Sequence, residues 1–230
     1  MKLSPRLQAI ADYVQKGATV ADIGTDHGYI PVYLVDNNVS NKIIATDINI
    51  GPLENAKSYI EKKSYEEIIE TRLGNGLEPL SPNEVDTVII AGMGGLLITE
   101  ILESSQVVTQ KINRFILQPM VGSEELRRYL YRSKYKIIDE KLAKEGHKIY
   151  EIIVAAHGED NIDNEIYYEI GKKLVENKDK HLKELLEVKI RKTEKILIAL
   201  KDKETVNGKL KYKQIERKYN EYKEVLDTIC

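Results

Sequence analysis

Along the first 160 residues, short apolar runs alternate with amphipathic stretches, and the period of the pattern switches from two to about three and a half. Ser4 as a cap, Pro5 at the first helical position and Leu7, Ile10, Ala11 and Val14 on one face predict a helix over 4–16. Five strands follow, four of them each leading into a helix. The strands are predicted over 19–23, 42–48, 68–73, 85–91 and 114–117, and the helices over 29–35, 52–63, 96–102 and 123–132. Two further strands, 135–142 and 150–156, are joined by a turn at Gly146. Nearly all-apolar strands separated by helices predict a parallel sheet covered on both faces, an α/β fold.

After His157-Gly158-Glu159-Asp160 the pattern changes. Residues 161–230 contain no proline, and their apolar positions keep helical spacing: Ile166, Ile170, Leu174, Leu182, Leu186, Thr193, Leu197, Leu200, then Ile215, Tyr219, Tyr222, Leu226, Ile229. This predicts a helical coiled-coil hairpin with a long arm over 162–202, a turn at Asn207-Gly208 and a shorter antiparallel arm over 209–229. Two domains are expected, 1–158 and 161–230.

The longest nearly uncharged apolar run, Val88–Ile98, is too short to span a membrane, and the first residues lack an apolar signal core. The single cysteine is Cys230, so no internal disulfide is expected, and a reducing cytoplasm is the expected compartment. His27, His147, His157 and His181 form no ligand-spaced cluster, so no metal is expected. The net charge of -2 conceals an asymmetry: residues 161–230 carry 17 Lys+Arg against 14 Asp+Glu. Arg127–Lys148 holds eight basic residues against three acidic ones, a surface that suits phosphate or simply a solvated face. The sequence does not set the oligomeric state; a monomer is the working expectation.

The chemistry concentrates at Asp22-Ile-Gly-Thr-Asp-His-Gly-Tyr29, at the end of the first strand. Gly24 and Gly28 permit a tight turn and a close ligand approach, and the following helix directs its N-terminus at the ligand. The spacing Gly24-x-x-x-Gly28 is not the G-x-G-x-x-G of a dinucleotide site. Asp22 and Asp26 would repel a pyrophosphate and would suit a cation such as a sulfonium bearing an α-ammonium group. Asp47, ending the second strand, is placed to accept hydrogen bonds from a ribose diol. A glycine pair alone also fits an ordinary strand–turn–helix, but packing does not require three aspartates at strand ends.

Asp22-Ile-Gly-Thr-Asp-His-Gly-Tyr-Ile-Pro31, Ala45-Thr-Asp-Ile48, Gly74-Asn-Gly-Leu77, Ala91-Gly-Met-Gly-Gly95 and Gln118-Pro-Met120 fall in order at successive strand ends. Together they resemble the bacterial tRNA (adenine-22-N1)-methyltransferase family, across essentially the whole chain. The family commonly has aspartate at Asn75 and often alanine at Gly28. The resemblance implies a Rossmann-like seven-stranded methyltransferase sheet, whose last pair includes an antiparallel strand, with a C-terminal antiparallel helical coiled-coil hairpin. It implies S-adenosylmethionine as cofactor, bound by Asp22, Gly24, Asp26, His27, Gly28, Asp47, Ile48, Asn75, Gly76, Ala91, Gly92 and Met93, and tRNA as partner. Asp26, His27 and Tyr29 are the catalytic candidates. Gln118, Pro119, Met120, Arg127 and Arg128 are the substrate candidates.

Methyl transfer is an in-line displacement that needs alignment of the acceptor nitrogen. Enzymes that methylate the adenine amino group usually carry Asn/Asp-Pro-Pro-aromatic after the fourth strand; Ala91-Gly-Met-Gly stands there instead. Ring N1 already presents a lone pair, so a glycine-rich loop that only positions the base fits it. Asp26 is expected to accept from the adenine amino group and Tyr29 to stack or donate. The alternatives are capping by His27 and packing by Tyr29. At the level of function they are methylation of another RNA base or a small molecule, a non-catalytic cofactor- and RNA-binding module, or a nicotinamide-linked oxidoreductase, which the missing fingerprint disfavours.

Overall fold

The computed structural model describes residues 2–201 and 205–229. Asp202, at the end of the predicted long arm, and Cys230 lie outside the described residues. The chain forms two compact units, 1–161 and 162–230.

The first unit opens with α1 (Pro5–Ala11), capped by the Ser4 hydroxyl and ending five residues short of the predicted 16. Then come β1 (Val20–Ile23), α2 (Tyr29–Asp36), β2 (Ile43–Asp47), α3 (Ile50–Lys62) and β3 (Ile69–Leu73). They are followed by β4 (Thr87–Gly94), α4 (Gly95–Ser104), α5 (Gln106–Thr109), β5 (Arg114–Val121), α6 (Ser123–Arg132), β6 (Tyr135–Glu145) and β7 (Lys148–His157). The seven strands form one sheet in the order β3-β2-β1-β4-β5-β7-β6. β1 to β5 run parallel, and β7 is antiparallel to both β5 and β6. This is the sheet that the resemblance implies.

Side-chain alternation along the strands feeds two separate cores. Ala21, Ile23, Ile44, Val88, Ile90, Phe115 and Leu117 pack toward Ile98, Ile101 and Leu102 of α4 and Leu126 and Leu130 of α6. Val20, Ile43, Ala45, Ile89 and Ile116 pack toward Ile10 of α1, Ile30 and Leu34 of α2 and Ile60 of α3. The strand order reverses between β1 and β4, where a crevice opens beyond the carboxyl ends of the strands.

β4 and β5 correct the predicted boundaries. They continue past residues 91 and 117 as a two-stranded extension, Ala91 opposite Gln118, Met93 opposite Pro119 and Gly94 opposite Val121, with bulges between. The Ala91–Gly94 segment is therefore a paired strand end and not a free loop. Gly95 is required just beyond it, because a Cβ there would lie 2.0 Å from the carbonyl oxygen of Gly122, which caps α6. The two turns are pressed backbone to backbone.

The second unit contains α7 (Ile166–Ile170), α8 (Lys172–Glu176), α9 (Leu182–Leu200) and α10 (Val206–Ile229). α9 and α10 pack side by side as a helical hairpin. The predicted long arm is broken at Gly171 (φ +78°) and again after Asn177, and Gly208 lies inside α10 and not in a turn. Glu169 of α7 ties the unit together by accepting from Lys218 and Tyr222 of α10. These bonds hold its carboxyl below the usual range although burial opposes them.

Candidate functional site

The turn after β1 alternates left-handed residues: Gly24 at φ +75°, Asp26 at +53° and Gly28 at +68°. Asp26 is a non-glycine residue in that region, a conformation held by its surroundings at some energetic cost. Gly28 caps α2 with no side-chain hydrogen bond, so His27 does not serve as the cap. A Cβ on Gly24 would come within 2.5 Å of the Met93 Cε, so this turn and the end of β4 close on each other.

Two cavities adjoin here and share Gly24, Ala91 and Gly92. The first, about 420 Å³, is lined by Asp22, Asp26, His27, Tyr29 and Met120, and also by Arg6 and Leu7 of α1. The second, about 280 Å³, is lined by Thr46, Asp47, Ile48, Asn75, Gly76 and Met93, with Leu97 and Ile101 of α4 as an apolar wall.

Asp22 is buried and accepts the Thr25 hydroxyl at 2.7 Å. Burial pushes its carboxyl up to about 6; the Thr25 hydrogen bond opposes this and the nearby Asp47 charge adds to it. Asp47 is also buried, and one of its oxygens accepts the Asn49 amide at 2.8 Å. The Thr46 hydroxyl is fully buried without a hydrogen-bond partner among the described residues. A carboxylate with acceptor capacity, an exposed amide at Asn75, Ile48 at 60% exposure and a wall of Met93, Leu97 and Ile101 suit a flat heterocycle carrying a diol.

The rim of the first cavity is exposed. Asp26 and His27 approach to 3.5 Å, with 63% of the Asp26 and 47% of the His27 side chain in solvent. The His27 ring centroid lies 5.1 Å from that of Tyr29, which meets Tyr59 edge-on at 5.7 Å. This is a tilted aromatic ledge beside a carboxylate.

The substrate candidates separate. Met120 lines the first cavity and is 44% exposed. Gln118 and Pro119 are buried beneath it: the Gln118 amide donates to the Pro119 carbonyl at 2.9 Å. Arg127 corrects the expectation of a phosphate contact. It is wholly buried, between Glu140 and Glu151, each at 2.7 Å. A guanidinium sealed between two carboxylates has no surface to offer a phosphate. Arg128 is exposed and paired with Glu124 at 3.0 Å along α6. Sequence reasoning missed Arg6, Leu7, Thr46, Leu97 and Ile101 as lining residues; only the Leu-Ser-x-Arg-Leu string at the N-terminus signals the first two.

Among the described residues, no helix is long and apolar enough to cross a membrane, and no three His, Cys, Asp or Glu side chains are grouped to hold a metal ion.

Residues 3–153 match the family described as a methyltransferase domain, which covers most of the sheet-bearing unit. The tRNA (adenine(22)-N(1))-methyltransferase of Bacillus subtilis is 43% identical over 159 residues, 69% of this chain and 67% of that protein. The crystal structure of the B. subtilis m1A22 tRNA methyltransferase TrmK superimposes with a TM-score of 0.90 at 36% identity, over 98% of this chain and 99% of that one. The structure of M. capricolum TrmK in complex with S-adenosyl-homocysteine, its natural cofactor product, matches over 100% of both chains at 32% identity and a TM-score of 0.85. The chain belongs to the family of these tRNA (adenine(22)-N(1))-methyltransferases.

Proposed function

We propose that this protein methylates N1 of adenine 22 in bacterial tRNA, using S-adenosylmethionine, in the cytoplasm. The observation that carries the reading is the pair of cavities meeting at Gly24, Ala91 and Gly92, one lined by Asp47, Asn75 and the apolar Met93, Leu97 and Ile101, the other by Asp22, Asp26, His27 and Tyr29. When bound, S-adenosylmethionine supplies a methyl group on a sulfonium centre.

The residues divide the work. Asp47 accepts from the ribose hydroxyls, and Asn75 contacts the adenine edge as an uncharged partner. Ile48, Gly76 and Met93 bound the purine. The buried Asp22 carboxylate faces the cationic amino-acid end. On the acceptor side, Tyr29 and His27 offer the aromatic ledge on which an extruded base rests. Asp26 accepts from its exocyclic amine and offsets the positive charge that N1 methylation leaves on the ring. Met120 closes the pocket from β5.

An adenine inside folded tRNA must first be unstacked, at a cost of a few kcal/mol, offset by phosphate contacts. The exposed lysines and arginines of residues 161–230, treated as a domain distinct from 1–158, are proposed to make those contacts, with Arg128 as a smaller contributor.

The test is methyl transfer from labelled S-adenosylmethionine to total bacterial tRNA, with primer extension to locate the modification. A block at position 22, abolished when adenine 22 is replaced by another base, is expected. Equal labelling of the position-22 variant would overturn the assignment.

A further inference from the structure

Arg6 reaches the first cavity from an element far in sequence from the strand ends. Its helix α1 packs against β6, and its peptide N–H is fixed on Glu145 Oε1 at 2.7 Å. Its side chain crosses to β5, where Nη1 donates to Gln118 Oε1 at 2.8 Å, and its guanidinium lies over the Tyr150 ring, 5.5 Å from the centroid.

Gln118 is fully buried, and its amide nitrogen donates to the Pro119 carbonyl at 2.9 Å and contacts the Met120 sulfur at 3.7 Å. Its oxygen therefore has one available direction, toward Arg6. Two contacts thus hold the guanidinium beside Gln118 and Tyr150, while only one of its five N–H donors is used among the described residues. Arg6 lines the same cavity as Asp22 and Asp26. Glu145 lies close enough for the Arg6 charge to help lower its carboxyl, but the hydrogen bond it accepts from Arg6 comes from the peptide N–H and not from the guanidinium. Hydrogen bonds from Ser4 and from the Arg6 peptide occupy its carboxylate and keep it below the usual range, against the effect of burial.

A cavity lined by two carboxylates and by a guanidinium held on Gln118 suits a ligand carrying both signs of charge. A planar fork matches a carboxylate or phosphate through paired hydrogen bonds. We propose that Arg6 is the oxyanion-binding residue of the first cavity, held in place by Gln118 as a positioning residue. The oxyanion is either the α-carboxylate at the amino-acid end of the cofactor or the phosphate of the methyl-accepting nucleotide. The inference rests on the methyl-transfer reading of this cavity.

The two sources separate in one experiment. Wild-type binding of S-adenosyl-homocysteine is measured first by calorimetry; its absence would sink the cofactor reading before any variant is made. Arg6→Ala and Arg6→Lys are then titrated with S-adenosyl-homocysteine and with methylthioadenosine, which shares the nucleoside and lacks the amino-acid end. KM for tRNA is measured at saturating S-adenosylmethionine.

If the ligand is the carboxylate, Arg6→Ala loses S-adenosyl-homocysteine affinity by about tenfold or more, the size of a lost charge-assisted contact, and keeps methylthioadenosine affinity. If the ligand is the phosphate, both nucleosides bind as before and KM for tRNA rises by about the same factor, with a shallower salt dependence. In either case Arg6→Lys recovers part of the loss, and Gln118→Leu shows a smaller loss in the same arm. Unchanged affinity and KM, or an equal loss for both nucleosides with a lowered melting temperature, would reduce Arg6 to a structural strut and overturn the proposal.

Discussion

The two cavities differ in how their walls are made. The second is bounded by the ends of β1 to β4 and by α4, so its shape follows from sheet register and from apolar packing against Leu97 and Ile101. The first is bounded by a left-handed turn, by exposed Asp26, His27 and Tyr29, and by an arginine from α1. One cavity is inherited from the fold, and the other is added to it by side chains. Recognition of an invariant nucleoside suits the first kind of wall. Handling a base that arrives from solvent suits the second, which can be altered without disturbing the sheet.

The substitution expected to do most damage strikes both cavities together. Gly24→Val puts a β-branched residue at φ +75° and drives a side chain into Met93. Left-handed backbone costs such a residue about 1–2 kcal/mol, so the fold should persist with a melting temperature lower by several degrees. Calorimetry should find no S-adenosyl-homocysteine binding. Near-normal affinity would mean that the shared wall does not contact the ligand.

Asp47→Ala should break the second cavity alone. Losing its charge-assisted hydrogen bonds to the ribose should weaken cofactor binding by about 1.5–3 kcal/mol, roughly 10- to 150-fold. Turnover at saturating cofactor should change little. Unaltered affinity would remove Asp47 from the site.

Asp26→Asn should do the reverse. Its side chain is 63% exposed, so its charge is screened and a loss of about tenfold in turnover on tRNA is expected, with cofactor affinity within a few-fold. A large loss of cofactor affinity would move Asp26 from the acceptor wall to the cofactor wall. Wild-type turnover would remove it from the chemistry.

The contrast also explains what the sequence reveals. Asp47, Ile48, Asn75, Gly76 and Met93 are legible because a parallel sheet delivers strand ends to one crevice whatever the side-chain packing. Arg6 is not legible in that way, because its bond to Gln118 spans 112 positions and depends on where α1 lands. Gly92 to Gly94 and Pro119 read as strand breakers, yet the backbone pairs through them by bulging. Arg127 reads as one member of a basic run, but it belongs with Glu140, a nearly buried carboxylate in β6 that needs a partner. Position in a charge run carries no information about burial. The breaks in the long arm have the same origin: apolar spacing persists across Gly171 although the backbone there leaves the helix.

The smallest expected effect lies at Asp22, where the inherited and the added wall meet. Burial raises its carboxyl from 3.8 to about 6, so the folded protein holds that proton more tightly than the unfolded chain does. Between those values the unbound fold loses stability as pH rises, because ionising a buried carboxylate is costly. The cofactor site behaves in the opposite sense. Only the ionised carboxylate attracts the cationic end of the ligand, so affinity should grow as pH rises toward neutrality. From pH 7.5 to 5.5, single-proton linkage through a group titrating near 6 predicts about a fourfold loss of S-adenosyl-homocysteine affinity. Asp22→Asn should bind weakly at pH 7.5, should show no such pH dependence, and should abolish the opposing trend in the stability of the unbound protein. The Asp47→Ala variant should keep the pH dependence, since it leaves Asp22 in place and only removes the charge that helps to raise it. A pH-independent wild type, or an Asp22→Asn protein that retains the fourfold change, would show that the titrating group lies elsewhere and that Asp22 serves the turn through Thr25 and not the ligand.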